Sequence, residues 1–299
     1  LGAAVLAISF GAIFARLADA PGGVVALWRM VFASVLILPA GVRGLRRAPI
    51  TRANLLPALA AGALLGVHFA TWLTSLQFTT VAASVTLVTT VPVWVTLLAW
   101  MGGVRPTRGV MIGLALALTG GVMIGFGDLQ GGSAPLLGDA LALMGAWAAA
   151  GYFVLGRRAQ HAGLSTSAYA AIAYLTAAVV LIPLPAILGA SYADYPPLTW
   201  LWLVLMAAAP QLIGHGGLNW ANRHLDPTLV ATVTLLEPIG SGVLAWWIFS
   251  EVPGVGVLLG APVLLLGVAF VVRHRRRGPA VVTRLATVSP TGRDGPNER

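Results

Sequence analysis

Apolar residues run along the chain in ten stretches, near 1–18, 22–41, 54–77, 79–101, 109–127, 136–156, 165–189, 199–222, 228–250 and 254–272, with polar residues gathered in the short intervals between. A hydrocarbon layer about 30 Å thick takes roughly 20 helical residues to cross, and each stretch comes close to that length. The runs are continuous, not alternating. Backbone groups in lipid must be paired, so continuous runs select helices over barrel strands. Glycine and proline punctuate most of the joins. The pattern predicts an all-α integral membrane protein with ten transmembrane helices.

The polar intervals add an orientation. Arg43, Arg46, Arg47 and Arg52 follow the second stretch, Arg105 and Arg108 the fourth, Arg157 and Arg158 the sixth, Arg223 the eighth, and Arg273, Arg275, Arg276 and Arg277 the tenth. The opposite intervals carry Asp19, Asp128, Asp194 and Glu251, with Arg16 as the basic residue near them. Arginine retained on one side places every even-to-odd connection and both termini in the cytoplasm.

Composition agrees, since 58% of the 299 residues are hydrophobic and 9% are charged, against roughly 25% charged in soluble domains. A water-facing surface cannot be covered from that supply. No cysteine is present, which excludes disulfides and thiolate metal sites. All 18 basic residues are arginine, and the alanine, glycine, leucine, valine and proline excess fits a high-GC bacterium, hence a bacterial inner membrane. The net charge of +9 is spread over five cytoplasmic edges with no aromatic platform, so it sets topology and does not imply nucleic acid. Residues 273–299 read as a basic, disordered cytoplasmic tail within reach of anionic headgroups.

Sliding the chain by 146 residues superposes Thr86 on Thr232, Pro92 on Pro238, Trp100 on Trp246 and Gly121 on Gly267. Residues 1–127 and 136–272 therefore read as copies. Each copy holds five spans, an odd number, so the second enters the membrane inverted. The competing reading is chance alignment of apolar helices of low complexity.

Four segments carry a family resemblance: WRMVFASVLIL at 28–38, TLVTTVPVWVTLLAW at 86–100, GDALALMGAWAAAGYFVLGRR at 138–158 and TLLEPIGSGVLAWWIFSEVPGVGVLLGAPVLLLGVAFVV at 234–272. Together they resemble the EamA family of the drug/metabolite transporter superfamily across nearly the whole chain. The resemblance implies ten helices as two inverted five-helix repeats around a central cavity, and export or exchange of metabolites, including amino acids in some members.

The candidate chemistry lies in polar residues stranded within apolar runs. Glu237, beside Pro238 in the ninth stretch, is either a transport group or a structural partner of Arg29. Arg29 in turn either pairs a substrate carboxylate or snorkels to the interface. His68 and His215 fall one residue apart at the 146 offset; His68 shares a face with Trp72, and His215 with Asn219. Each is a solute ligand or an interhelical hydrogen-bonder. Trp94, Trp147 and Gln211 sit deep enough to face a cavity and equally to pack, while Trp200, Trp202 and Trp247 fit interface anchors. Pro92 and Pro238 are expected to kink their helices.

An intramembrane enzyme is the rival class. Gly125-Phe126-Gly127-Asp128 spells GxGD but lacks a second intramembrane aspartate, and Ile239-Gly240-Ser241-Gly242 lacks the first glycine of GxSG. No HExxH or GxxxxGK[ST] motif appears, so neither a zinc enzyme nor an ATP-driven pump is supported, and no metal or cofactor is expected. The expectation is a secondary transporter of small metabolites, amino acids foremost and aromatic or apolar ones among them, working by alternating access. The alternative is proton-coupled efflux of drugs or cationic compounds, against which stands the absence of an acidic residue within the first stretch before Asp19. The partners expected are the solute and membrane lipid; a single chain is compatible with this scheme, and the sequence does not fix an oligomeric state.

Overall fold

A computed structural model describes residues 1–47, 49–101, 103, 105–127, 132–225, 230, 234 and 236–274. The tail from residue 275, Asp128 and Thr232 lie outside the described residues. The described chain is helical, with no strand among it: α1 Gly2–Ser9, α2 Gly11–Leu17, α3 Gly22–Arg47, α4 Arg52–Ser75, α5 Val81–Val88, α6 Val91–Met101, α7 Arg108–Gly127, α8 Pro135–His161, α9 Thr166–Leu181, α10 Pro183–Ile187 and α11 Pro197–Met206. A π-helical segment, Ala207–His215, then leads into α12 Gly216–His224, followed by α13 Glu237–Phe249 and α14 Val255–His274.

Each of the ten apolar stretches contains helix, and among the described residues seven segments are long and apolar enough to cross a membrane: Gly22–Arg47, Arg52–Ser75, Val81–Leu98, Pro135–His161, Thr166–Ile187, Pro197–His224 and Val255–His274. Gly2–Leu17 and Arg108–Ile124 are apolar but shorter. Local chemistry sets the starts. Ser165 and Thr80 cap α9 and α5 by accepting from the Ala168 and Ala83 amides, at 3.2 and 3.1 Å. Proline occupies the first turn of α8, α10, α11 and α13, where its missing N–H has no partner to lose.

The outer surface is apolar: Trp247 and Met101 are each 78% exposed, as suits a face turned to lipid. The interior is built from small residues. Ala58 and Ala61 of α4 are buried, Gly62 lies against Ala173 of α9, and the buried face of α9 includes Ala170, Ala173 and Ala177. Lipid tails offer no hydrophobic gain between helices, so close backbone approach supplies the attraction. The largest core gathers α2, α3, α4, α8 and α9 with part of α5; a second gathers α5, α7 and α14, and a third joins α1 to α12.

Glycine contacts fix the helix directions. A Cβ built on Gly113 of α7 would stand 2.7 Å from the Gly267 carbonyl of α14, and one on Gly120 would stand 2.7 Å from the Gly260 carbonyl. As α7 advances, α14 retreats. Gly41 and Gly44 of α3 likewise meet Ala171 and Ala168 of α9 in reversed order, so these two pairs run antiparallel. Between the halves, α4 lies along α8 and α1 lies along the π segment, while α5 meets α13.

Candidate functional site

Where the first core meets the π segment, a cationic side chain is buried. Arg29, on α3, is 1% exposed. Its Nε donates to Gln211 Oε1 at 2.9 Å, and its guanidinium carbon lies 4.0 Å over the Phe69 ring and 5.8 Å from the Trp72 ring. A guanidinium so placed keeps its charge by cation–π contact and hydrogen bonding in place of water.

Alpha-helix α4 contributes the aromatic wall at i and i+4 spacing. His68 and Trp72 stack with centroids 5.8 Å apart, Phe69 flanks them at 4.6 and 6.2 Å, and His215 closes on His68 at 6.2 Å and on Phe69 at 5.5 Å. His68 Nδ1 is 2.9 Å from the Gly145 carbonyl of α8. A carbonyl accepts, so Nδ1 carries the proton and, in the neutral ring, Nε2 is left as an acceptor. Gly145 permits this contact, because a Cβ there would already touch Trp72 Cβ at 3.2 Å.

The π segment presents the facing residues. Pro210 cannot donate, and its ring disfavours the regular i−4 bond, so the ladder widens to the π form often found at functional sites. Gln211 and His215 come to the same side of that widened turn. Below them Asn219 Nδ2 donates to Tyr152 Oη at 2.5 Å, Tyr152 stacks on Tyr169, and Tyr174 Oη lies 3.5 Å from the Gln211 carbonyl. A Cβ on Gly11, at the α1–α2 break, would stand 3.2 Å from Trp72 Cη2 and 3.9 Å from Arg29 Nη1.

The structure therefore brings together Arg29, His68, Trp72, Gln211, His215 and Asn219. It does not bring in the others. Trp147 is 48% exposed on α8, on a face turned outward. Trp94 is half-buried in α6 and donates to Thr90 Oγ1 at 3.0 Å. Glu237 is the first residue of α13, half-buried and within electrostatic reach of Arg29, but the two form no ion pair. Pro92 and Pro238 stand in the first turns of α6 and α13, immediately after breaks, instead of bending one continuous helix. The same helix start thus recurs at the 146 offset.

Sequence reasoning missed Phe69, Tyr152, Tyr169 and Tyr174, which look like ordinary core aromatics, and the π turn, whose signal is a mid-stretch proline followed by glutamine. It also missed a clasp at the other end of the bundle. There Arg16 Nη1 donates to Glu251 Oε2 at 3.1 Å, Arg16 Nη2 to the Thr79 carbonyl at 2.7 Å, and the Val81 amide to Glu251 Oε1 at 2.7 Å. Ser250, at φ 54°, closes α13 and turns Glu251 back toward α5.

The model of the EamA-like transporter family matches residues 1–126 and again residues 136–273. The chain belongs to the EamA-like transporter family. This member is a multi-pass membrane transporter of the drug/metabolite superfamily, built as two repeats of one unit. A crystal structure is similar over 90% of this chain and 93% of that chain, with a TM-score of 0.64 at 20% identity, which supports the fold. No curated protein matches the chain. The matched repeats meet at the Arg29 cluster, with α3 and α4 from one and the π segment and α12 from the other.

Proposed function

We propose that this EamA-like protein is a secondary transporter that exports or facilitates movement of small metabolites, amino acids foremost, across a bacterial inner membrane by alternating access. One observation carries the reading: the polar, aromatic-walled Arg29 cluster lies on the seam between the two repeats. A solute held on such a seam is exposed to opposite sides as one repeat rocks against the other. The zwitterionic character of an amino acid suits a cluster that offers a cation, amides and imidazoles together, and aromatic or apolar side chains suit its ring-lined wall.

The membrane arrangement belongs to the same proposal. Ten spans form two inverted five-helix repeats around a central cavity, with both termini cytoplasmic. The antiparallel pairing of α7 with α14 and of α3 with α9, equivalent helices of the two repeats, supports inversion. So does the exchange of partners, in which α4 packs on α8 as the π segment packs on α1. Single cysteines at positions 46, 105, 157 and 223 should be labelled from the cytoplasm, and one at 194 from outside. Mixed labelling of these sites would defeat the inversion.

A second reading, proton-coupled efflux of cationic compounds, draws on Glu237, a carboxylate without an ion-pair partner among the described residues. Arg29 counts against it, because a buried positive charge in the cluster repels a cation. The deciding experiment is a panel of radiolabelled amino acids in proteoliposomes of the purified protein, with and without an imposed proton gradient. Saturable uptake with counterflow is expected for at least one amino acid; uptake of cationic dyes alone, driven by the gradient, would replace this proposal with the second.

A further inference from the structure

Around Arg29 the buried hydrogen-bond donors lack acceptors. The bond from Arg29 Nε to Gln211 Oε1 locks the two groups together. It leaves Arg29 Nη1 and Gln211 Nε2 buried with no partner among the described residues, and Trp72 Nε1 is in the same condition. The three side chains are 1%, 0% and 3% exposed. Trp72 Cη2 and Arg29 Nη1 both border Gly11, and the Trp72 ring lies 5.8 Å from the guanidinium carbon, so the side chains that carry these donors are neighbours. Among the described residues no carboxylate forms an ion pair with Arg29; Glu237 acts on it only at longer range. A fold rarely buries several unpaired donors beside a cation that no counter-ion touches unless something else completes them.

We propose that this donor set is a carboxylate-binding site, filled by the carboxylate of a small organic acid or amino acid whose apolar body lies along Phe69 and the imidazole of His215. The chemistry selects that group. A carboxylate is acceptor-only, with two oxygens for the free guanidinium and amide N–H groups, and it brings a negative charge into direct contact with Arg29, which Glu237 does not. A neutral carbonyl leaves the charge unbalanced. An amine adds donors and a like charge. The inference rests on the transporter reading for its use, but occupancy is measured without flux.

The test is thermal unfolding of the purified protein in detergent with three probes: 3-phenylpropanoate, phenethylamine and phenylphosphonate. 3-Phenylpropanoate should raise the unfolding temperature saturably, phenethylamine should not, and phenylphosphonate should act more weakly. Gln211→Glu gives Arg29 an internal carboxylate in the same place; without ligand it should be at least as stable as the wild type, and its response to 3-phenylpropanoate should be lost. Trp72→Phe deletes the indole donor and keeps a ring, and should raise the half-saturating concentration about fivefold. Equal protection by phenethylamine, stronger protection by phenylphosphonate, no protection by the carboxylate, or a wild-type response in Gln211→Glu would each overturn the site. Should Gln211→Glu not fold, an unchanged half-saturation in Trp72→Phe overturns it instead. A protein that binds 3-phenylpropanoate but moves no amino acid in proteoliposomes defeats the transport reading and leaves the site standing; one that moves amines and carboxylates alike does the reverse.

Discussion

Replacing Glu251 by glutamine perturbs the clasp between the two repeats with little change of shape. The amide oxygen of the replacement still accepts from the Val81 N–H, so the bond observed at 2.7 Å survives. What disappears is the charge, both toward Arg16 at 3.1 Å and toward the positive N-terminal end of α5, which begins at Val81. Charge-assisted hydrogen bonds contribute about 1.5–3 kcal/mol when sheltered, and exposed ion pairs about 0–1 kcal/mol. The two side chains are 29% and 14% exposed, which places this pair between those limits. The loss is then roughly 1–2 kcal/mol, or a shift of about 5- to 30-fold in the balance between clasped and unclasped forms. The chain contains no cysteine, so a single reporter at Leu76 is readily introduced, beside a cavity of about 330 Å³ that Arg16 and Asp19 also line. A membrane-impermeant maleimide should label that cysteine faster by the same factor in Glu251→Gln. Arg16→Gln should also speed labelling, and the double variant should fall short of the product of the two single factors, because both lose the same ion pair. An unchanged labelling rate, or rates that multiply in the double variant, would refute the idea that this pair holds this end of the bundle together.

Gly120→Ala should destabilise the protein, because its Cβ meets the Gly260 carbonyl at 2.7 Å and no flexible side chain can yield; overpacking of about 1–3 kcal/mol exceeds the helix-propensity gain of roughly 1 kcal/mol. Gly242→Ala, whose Cβ meets nothing within 4 Å, should be neutral or stabilising, and equal unfolding temperatures for the two variants would discredit the glycine contact. Trp72→Ala should raise the half-saturation concentration for transport several-fold, by about 1 kcal/mol of lost stacking, while Trp147→Ala, on the outward face of α8, should leave it unchanged; the reverse order would move the solute path to the other side of α8. Glu237→Gln should leave solute-gradient-driven exchange intact, since Glu237 forms no ion pair with Arg29; proton movement stoichiometric with solute flux and abolished by the substitution would show instead that this carboxylate is a proton carrier.

The sequence by itself determined what depends on one segment at a time. Crossing lipid demands a run of apolar residues of sufficient length with its backbone bonds satisfied internally, a local requirement, so the positions of the helices and their repetition at 146 residues were legible without any tertiary contact. The stranded polar residues were equally visible, because any one of them is anomalous in an apolar run. Which of them meet was decided only by the tertiary structure. Arg29 and Gln211 are 182 residues apart and touch because α3 packs on the π segment. Trp72 and Trp147 both sit deep in apolar runs, yet one is 3% exposed and the other 48%. In a soluble helix, alternation of polar and apolar faces would have told them apart. In lipid both faces are apolar, so inward and outward tryptophans look alike along the chain, and the packing of neighbouring helices alone assigns them their sides.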